Sequence, residues 1–553
     1  MRPAQPPGRR TGRRRGGRPG PSLRTAAVAA AVGGLLLGGC TSQGARPGPA
    51  SPPSSPAPSS AAAGTGATAA GANPAATPLE PLPAAVPAAL AGYYAQKLDW
   101  QSCDDRFECA TFKVPLDYDH PANGDISLTA ARKASTGSGG RIGSLLLNPG
   151  GPGGSAVDYM EGSAASYDAG VRAAYDLVGL DPRGVGRSSP VGCLDGERMD
   201  AYTAVDITPD DQAETDALVT ADKEFADGCR QRSGALLGHV STVEAARDMD
   251  VLRGLLGDEK LYYVGKSYGT FLGATYAGLF PSRVGRLVLD GAMDPSLDSV
   301  TGNRTQAGGF ETAWAAFAKD CVKREGCAMG STEQEAGERL DALFRSVDAA
   351  PLPTDSGRRL SESQATTGVI EAMYAEFLWP GLRSALADAR AGDGTGLLKL
   401  SDSYYNRAAD GSYPNLMFAN TAVNCLDLPA PFAGPADVRA ALPDFERSSP
   451  HFGRDMAWMA LSCGYWPVTA TGASHTVRAA GAAPIVVVGT TRDPATPYAW
   501  AQALAGQLES GRLLTYEGDG HTAYGRQNRC IDGAVNDYLL TGRAPDQDKR
   551  CAK

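Results

Sequence analysis

Gly265-Lys266-Ser267-Tyr268-Gly269 sets a serine between two glycines, directly after the apolar run Leu261-Tyr262-Tyr263-Val264 and before a helical stretch, Thr270–Phe280, that Pro281 stops. Strand, sharp turn and helix in that order can lift a hydroxyl above a sheet edge, with the positive end of the helix beneath it. The chemistry would be nucleophilic attack by Ser267. The pentapeptide alone is weak, since at this glycine content it would arise by chance about 0.5 times in such a chain. Its setting carries the reading.

A serine hydroxyl needs a base, and in this arrangement the base comes last in the chain with an acid before it. The five histidines are at 120, 239, 451, 475 and 521. His120 and His239 precede Ser267, and His451 and His475 lie in polar stretches without strand character. His521 stands in Gly518-Asp519-Gly520-His521, just past the run Leu513–Tyr516, where a loop would deliver it to the sheet edge. The acid should leave the preceding strand: Ile485–Val488 runs into Thr490-Thr491-Arg492-Asp493, which selects Asp493 to hold the imidazole. Asp290, after Arg286–Leu289, is the alternative. Thr496-Pro497 reads as a helix cap followed by proline at the first helical position, a supporting role.

An acyl-transfer site also needs N–H donors for the developing oxyanion. Tyr268, directly after the nucleophile, supplies one. The second is expected from Gly151, in the loop Asn148-Pro149-Gly150-Gly151-Pro152-Gly153-Gly154 after the run Leu145–Leu147. No Gly-Lys-Ser/Thr follows that loop, which excludes a phosphate loop. A second glycine-containing loop, Asp181-Pro182-Arg183-Gly184-Val185-Gly186-Arg187-Ser188, is read as structural, with Arg183 pairing internally.

These residues must be held by a sheet. Short apolar runs recur at Ser144–Leu147, Asp176–Leu180, Leu261–Val264, Arg286–Leu289, Ile485–Val488 and Leu513–Tyr516. Runs of four to six residues without polar alternation suit strands buried on both faces, and helical stretches separate several of them, so the class is α/β with a mostly parallel sheet. From about 296 to 440 helix-like segments take over, among them Glu311–Lys323, Glu333–Val347 and Val369–Leu378, and no comparable strand run occurs. This stretch reads as a helical insertion into the α/β core.

The chain has 553 residues, with 52 Lys+Arg against 61 Asp+Glu. Eight of the arginines fall in residues 1–24 and no acid precedes Glu80; beyond Arg24, 44 bases face 61 acids, a net charge of −17. A body this acidic makes a poor polyanion partner, so nucleic-acid binding is excluded. The basic start, the apolar run Ala26–Leu37 and the small residues before Cys40 form a secretory signal too short to span a bilayer. Leu37-Gly38-Gly39-Cys40 resembles a bacterial lipobox, which implies lipidation of Cys40 and attachment to the outer face of the cell membrane. Residues 41–85 are Ala, Gly, Pro, Ser and Thr with almost no charge, and read as a flexible tether. Export makes the ten remaining cysteines disulfides, and their spacing pairs neighbours: 103–109, 193–229, 321–327, 425–463 and 530–551. A zinc site would need short Cys-x-x-Cys pairs or His partners, and neither is present.

The motifs N-P-G-G-P-G-G, D-P-R-G-V-G-R-S, G-K-S-Y-G, T-R-D-P-A-T-P and G-D-G-H stand in that order. Together they resemble the exported α/β-hydrolases of the prolyl-aminopeptidase and tripeptidyl-aminopeptidase group, over roughly residues 95–550. Pro149 replaces the His of the His-Gly-Gly-Pro-Gly motif of prolyl iminopeptidases, which moves the likeness toward the tripeptidyl branch, as does Cys463-Gly464-Tyr465-Trp466-Pro467. The resemblance implies an α/β-hydrolase fold with a helical cap, and hydrolysis of peptides near a free N-terminus, with release of tripeptides as the branch's variant of it. The expected organisation is a signal peptide over 1–39, a lipidated Cys and tether over 40–88, core over 89–295, cap over 296–440 and core over 441–553. Glu311 and Asp427 are candidates to hold the substrate's ammonium group. No cofactor and no metal are expected; the partners are a peptide and, through the anchor, a membrane, and the chain is expected to act as a monomer. A carboxylesterase or lipase with the same triad is the alternative.

Overall fold

The computed structural model describes residues 76–104 and 106–553. The signal segment, Cys40 and most of the expected tether lie outside the described residues.

Ten strands form one sheet: β1 (Gln101–Asp104), β2 (Phe107–Pro115), β3 (Asp125–Lys133), β4 (Gly143–Asn148), β5 (Tyr175–Leu180), β6 (Leu261–Lys266), β7 (Val284–Asp290), β8 (Ile485–Arg492), β9 (Gly511–Asp519) and β10 (Lys549–Ala552). Their spatial order is β10-β9-β8-β7-β6-β4-β5-β3-β2-β1. The seven strands from β10 to β5 run parallel, and β3, β2 and β1 add on antiparallel. All six expected strand runs are present. The antiparallel flank was not read from the sequence, because β2 and β3 mix exposed and buried residues without a continuous apolar run.

The helices that matter to the site are α1 (Ala156–Ser163), α2 (Thr242–Leu255) and α3 (Tyr268–Leu279) in the core. Then come α4 (Ser299–Cys321), α5 (Glu333–Ala349), α6 (Glu362–Met373), α7 (Trp379–Arg390), α8 (Thr395–Tyr404), α9 (Leu416–Asp427), α10 (Pro435–Ser448) and α11 (Gly453–Met459), followed by α12 (Tyr498–Gln507) and α13 (Arg529–Thr541). The two-residue period of a strand explains the layering. Ile485 and Val487 enter the core layer under α2, α3 and α12, whereas Val486 and Val488 enter the layer under α1 and α13. Each is fully buried, and each contributes about 1.5–3 kcal/mol by leaving water. Val487→Asp would place an unpaired charge in that layer and break it.

Between β7 and β8 the chain makes the expected helical cap, with its own core around Trp314, Phe317, Leu340, Val369, Leu382 and Phe452. The expected boundary at 440 is corrected: it falls inside α10, and helical structure runs on to Tyr465. The helix expected over Val369–Leu378 starts earlier, at Glu362, where Ser361 and Gln364 form a capping box. The tether is corrected at its end. Thr77–Pro78 pairs with His475–Thr476, Leu82 N–H donates to Leu279 O at 2.9 Å, and Leu79 and Leu82 pack on the core, because apolar side chains reappear there after the Ala/Ser/Gly tract. The five disulfides join the expected neighbours. Among the described residues no helix is long and apolar enough to cross a membrane.

The chain leaves β4 for β5 on one side and returns to β6 on the other. This strand-order reversal opens a crevice at the C-terminal ends, the place where α/β sheets hold ligands. The register sets Asn148 beside Gly265, Lys266 beside Asp290 and Arg492 beside Asp519, so five strand ends meet at one edge.

Candidate active site

Ser267 sits at the turn between β6 and α3 with φ 55° and ψ −127°. A non-glycine residue held there stores about 1–3 kcal/mol of backbone strain. The flanking sequence makes the turn feasible: a Cβ at Gly265 would lie 2.3 Å from the Gly269 carbonyl oxygen. Ser267 N–H donates to Asp290 O at 2.9 Å, which anchors the nucleophile's backbone to β7. The start of α3 sets the positive end of the helix dipole at this turn.

His521 follows β9. Its Nδ1 lies 2.8 and 3.0 Å from the two carboxylate oxygens of Asp493, which follows β8. Both oxygens are acceptors, so Nδ1 carries the proton and the neutral ring presents Nε2 as its basic nitrogen. Asp493 is 2% exposed and also accepts from the N–H groups of Ala495, Thr496 and Thr522 at 2.9–3.1 Å. Thr496 Oγ1 stands 3.3 Å from Nδ1. Nε2 is buried and has no hydrogen-bond partner, so the bond to the Ser267 hydroxyl is not closed in this arrangement. The end of β7 reaches both residues: a Cβ on Gly291 would lie 3.1 Å from His521 Cε1, and the adjacent Asp290 carbonyl holds Ser267 N–H. Histidine–serine bonds of this kind commonly tighten only when substrate is bound.

Asp290, the alternative acid, does not touch the imidazole. Its carboxylate accepts from the N–H groups of Ala523 at 2.9 Å and Tyr524 at 2.9 Å, and burial raises its pKa. It thereby ties the loop carrying the base to the strand end that carries the nucleophile. Lys266 Nζ adds a bond to Tyr524 O at 2.9 Å.

The loop after β4 lies against the elbow. A Cβ on Gly150 would meet Lys266 O at 2.4 Å and Ser267 Cβ at 2.8 Å. Gly150 N–H is taken by Asn148 Oδ1 at 2.9 Å, whereas Gly151 N–H donates to no acceptor among the described residues. Helix α9 and the residue that caps it hold both glycine-containing loops: Asn420 Nδ2 donates to Pro152 O at 3.0 Å and Asn415 Nδ2 to Gly184 O at 2.7 Å. Arg183 is buried and makes two 2.7 Å bonds to Asp248, the internal pairing expected of a structural loop.

Both candidate ammonium ligands are held by protein donors. Glu311 accepts from Ser449 Oγ at 2.8 Å and His451 N–H at 3.2 Å. Asp427 accepts from Thr242 N–H at 2.7 Å and from the Thr242 hydroxyl, which also bonds the Tyr268 hydroxyl at 2.6 Å. Loss of water around Asp427 pushes its pKa up to about 7. Beside the base stands Tyr374, at the end of α6. Its ring stands edge-on to the His521 ring at 5.5 Å, and its carbonyl accepts from His521 N–H at 2.9 Å. Helical spacing with the other cap aromatics gives Tyr374 a place in the cap core; its contact with the base exists only once the cap folds over the sheet.

A family model described as TAP-like protein matches residues 449–551. The chain is 38% identical to the serine protease Hip1 of Mycobacterium tuberculosis over 462 residues, covering 80% of this chain and 87% of the relative. It is 38% identical to carboxylesterase B of the same organism over 480 residues, covering 83% and 90%. It is 34% identical to the tripeptidyl aminopeptidase of Streptomyces lividans over 492 residues, covering 85% and 88%.

Proposed function

The chain belongs to the TAP-like family of α/β-hydrolases and is a serine peptidase, and from that premise we propose that Ser267, His521 and Asp493 perform the hydrolysis through an acyl-enzyme. His521 Nε2 takes the Ser267 proton as Oγ attacks the scissile carbonyl carbon. The N–H groups of Gly151 and Tyr268 hold the resulting oxyanion, and Asp493 holds the imidazolium that forms. The proton on Nε2 passes to the leaving amine as the C–N bond breaks. A water then loses a proton to Nε2, attacks the ester and releases the acid, restoring Ser267. The observation that carries this reading is the His521–Asp493 pair beside the strained Ser267 turn.

The substrates are peptides, and the reaction we propose is removal of a short N-terminal piece from a chain with a free amine. The tripeptidyl aminopeptidase relative supports this reading. The carboxylesterase relative favours a second one, ester cleavage by the same triad. Turnover of Ala-Pro-Ala-p-nitroanilide, its N-acetylated form and p-nitrophenyl butyrate separates them. A preference for the free-amine peptide supports the aminopeptidase; turnover of the ester alone overturns it.

We further propose that the protein is exported and lipid-anchored through Cys40 at the outer face of the cell membrane. The basic start, Leu37-Gly38-Gly39-Cys40 and five disulfides support this. Cys40→Ala should move the protein from the membrane fraction to the soluble one, and unchanged membrane association would contradict the anchor.

A further inference from the structure

One helix of the insertion packs on the sheet instead of the cap core. Helix α9 (Leu416–Asp427) buries Phe418, Ala422, Val423 and Leu426 in the same layer as α2 and α3. Both of its ends are fixed. Asn415, the residue before it, also accepts from Gly186 N–H at 2.9 Å. Near its other end Cys425 is joined to Cys463, and Leu426 O accepts from the N–H groups of Thr471 and Gly472 at 3.0 Å.

From that position α9 bonds toward both residues assigned to the oxyanion. In the loop after β4, Gly154 N–H donates to Gly150 O at 3.1 Å and closes a turn that contains Gly151 and Pro152. Asn420 Nδ2 holds the Pro152 carbonyl at 3.0 Å, and Asn424 Nδ2 donates to Asn420 Oδ1 at 3.0 Å, which orients the amide. Helix and turn are in close contact: a Cβ on Gly153 would lie 2.2 Å from Leu416 O. At the far end of α9, Asp427 accepts from the N–H and the hydroxyl of Thr242, the first residue of α2. The Thr242 hydroxyl in turn bonds the Tyr268 hydroxyl at 2.6 Å. The two links end at one place, since a Cβ on Gly150 would lie 3.0 Å from Tyr268 N.

Resting on the acyl-enzyme reading, we infer that Asn420 and Asp427 are positioning residues of the oxyanion hole. Asn420 aims the Gly151 N–H through Pro152, and Asp427 aims the Tyr268 N–H through Thr242. Both donors need such a hold. The turn has positive φ at Gly150, Gly151 and Gly153, and glycines have no side chains to brace it. The Tyr268 N–H belongs to the peptide that leaves Ser267, and the strain at Ser267 favours rotation of that peptide. Asp290 O holds the Ser267 side of it and the Thr242 hydroxyl the Tyr268 side. A donor turned away from the oxyanion weakens the transition state and leaves substrate binding alone.

The test takes kcat and KM on the full mature chain, with whichever of Ala-Pro-Ala-p-nitroanilide and p-nitrophenyl butyrate the wild type turns over. It adds the Kd of benzeneboronic acid, whose tetrahedral adduct with Ser267 sets an oxygen in the hole. Losing an oxyanion donor outright costs about 10²–10³-fold in kcat, and misaiming one costs less. Asn420→Ala and Asp427→Ala should each lower kcat by about 10–100-fold, with KM within about threefold of wild type. Affinity for the boronic acid should fall in parallel. Asp427→Asn, which keeps an acceptor for the Thr242 N–H and a partner for its hydroxyl, should recover most of the rate. Tyr268→Phe removes one oxygen, cuts the same link from the other side and should match Asp427→Ala. It keeps that branch testable if Asp427→Ala does not fold. A kcat within about threefold of wild type in folded Asn420→Ala and Tyr268→Phe overturns the inference, as does a fall in kcat with boronic-acid affinity unchanged. A wild type whose Ser267 takes no label from a fluorophosphonate overturns the acyl-enzyme reading itself, so the two failures are distinguishable.

Discussion

Two buried aspartates mark the two halves of this molecule. Asp493, at the sheet edge, is 2% exposed and accepts from the His521 ring and from three backbone N–H groups. Asp455, in the cap, is 3% exposed and accepts nothing. A carboxylate surrounded by donors is fixed before substrate arrives and suits a step that repeats unchanged. A carboxyl without donors is held at a cost, and burial keeps it neutral where an unfolded aspartate ionises. The sheet edge is preorganised; the cap carries an unsatisfied carboxyl.

The largest break in the comparison is Ser267→Ala. It should cut turnover of every substrate by about 10⁵–10⁶-fold with thermal unfolding unchanged. Residual turnover near the wild-type rate would move the nucleophile elsewhere. Next is the acid. Asp493→Ala should lower kcat by about 10³–10⁴-fold, because the imidazole loses its tautomer and its counter-charge. Asp290→Ala should act mainly on thermal stability, through the loop that carries the base. If the Asp290 variant loses the rate and the Asp493 variant keeps it, the two roles are reversed.

The smallest effect is a pH dependence of stability in the cap. Asp455 is raised to about 7 in the folded chain, so it stays neutral where an unfolded aspartate ionises. Its contribution to stability is therefore full below the ordinary aspartate range, about 4, and is lost as pH rises through its folded value. Burial is the cause of the Asp455 shift, and the Asp455 charge in turn raises Glu362, Tyr404 and Tyr405. Asp455→Asn should thus gain in Tm over wild type by a few degrees between about pH 4 and pH 8, in a series of melts. An equal Tm difference at both ends would show that Asp455 does not titrate in that window.

The same division decides what the amino-acid sequence made legible. Strands β4 to β9 announce themselves as apolar runs because both of their faces are buried, and Ser267, Asp493 and His521 follow from where those runs end. The disulfides follow from the nearness of their cysteines. Strands β2 and β3 escaped because their outer residues stay wet and the apolar run is broken. Residues 76–88 were read as part of the tether because the preceding tract is featureless, yet Leu79 and Leu82 dock on the core. The contact of Tyr374 with the imidazole and the burial of Asp455 were out of reach for a different reason. Each depends on packing between segments far apart in the chain, and an aspartate inside a helix looks the same whether it faces water or a buried interior.

The account rests on one alcohol made reactive by one imidazole. Incubation with a fluorophosphonate, followed by peptide mapping, measures that directly. The account predicts stoichiometric phosphonylation of Ser267 in the wild type and none in His521→Ala. Label on another serine, or labelling of Ser267 at an undiminished rate without His521, would contradict it.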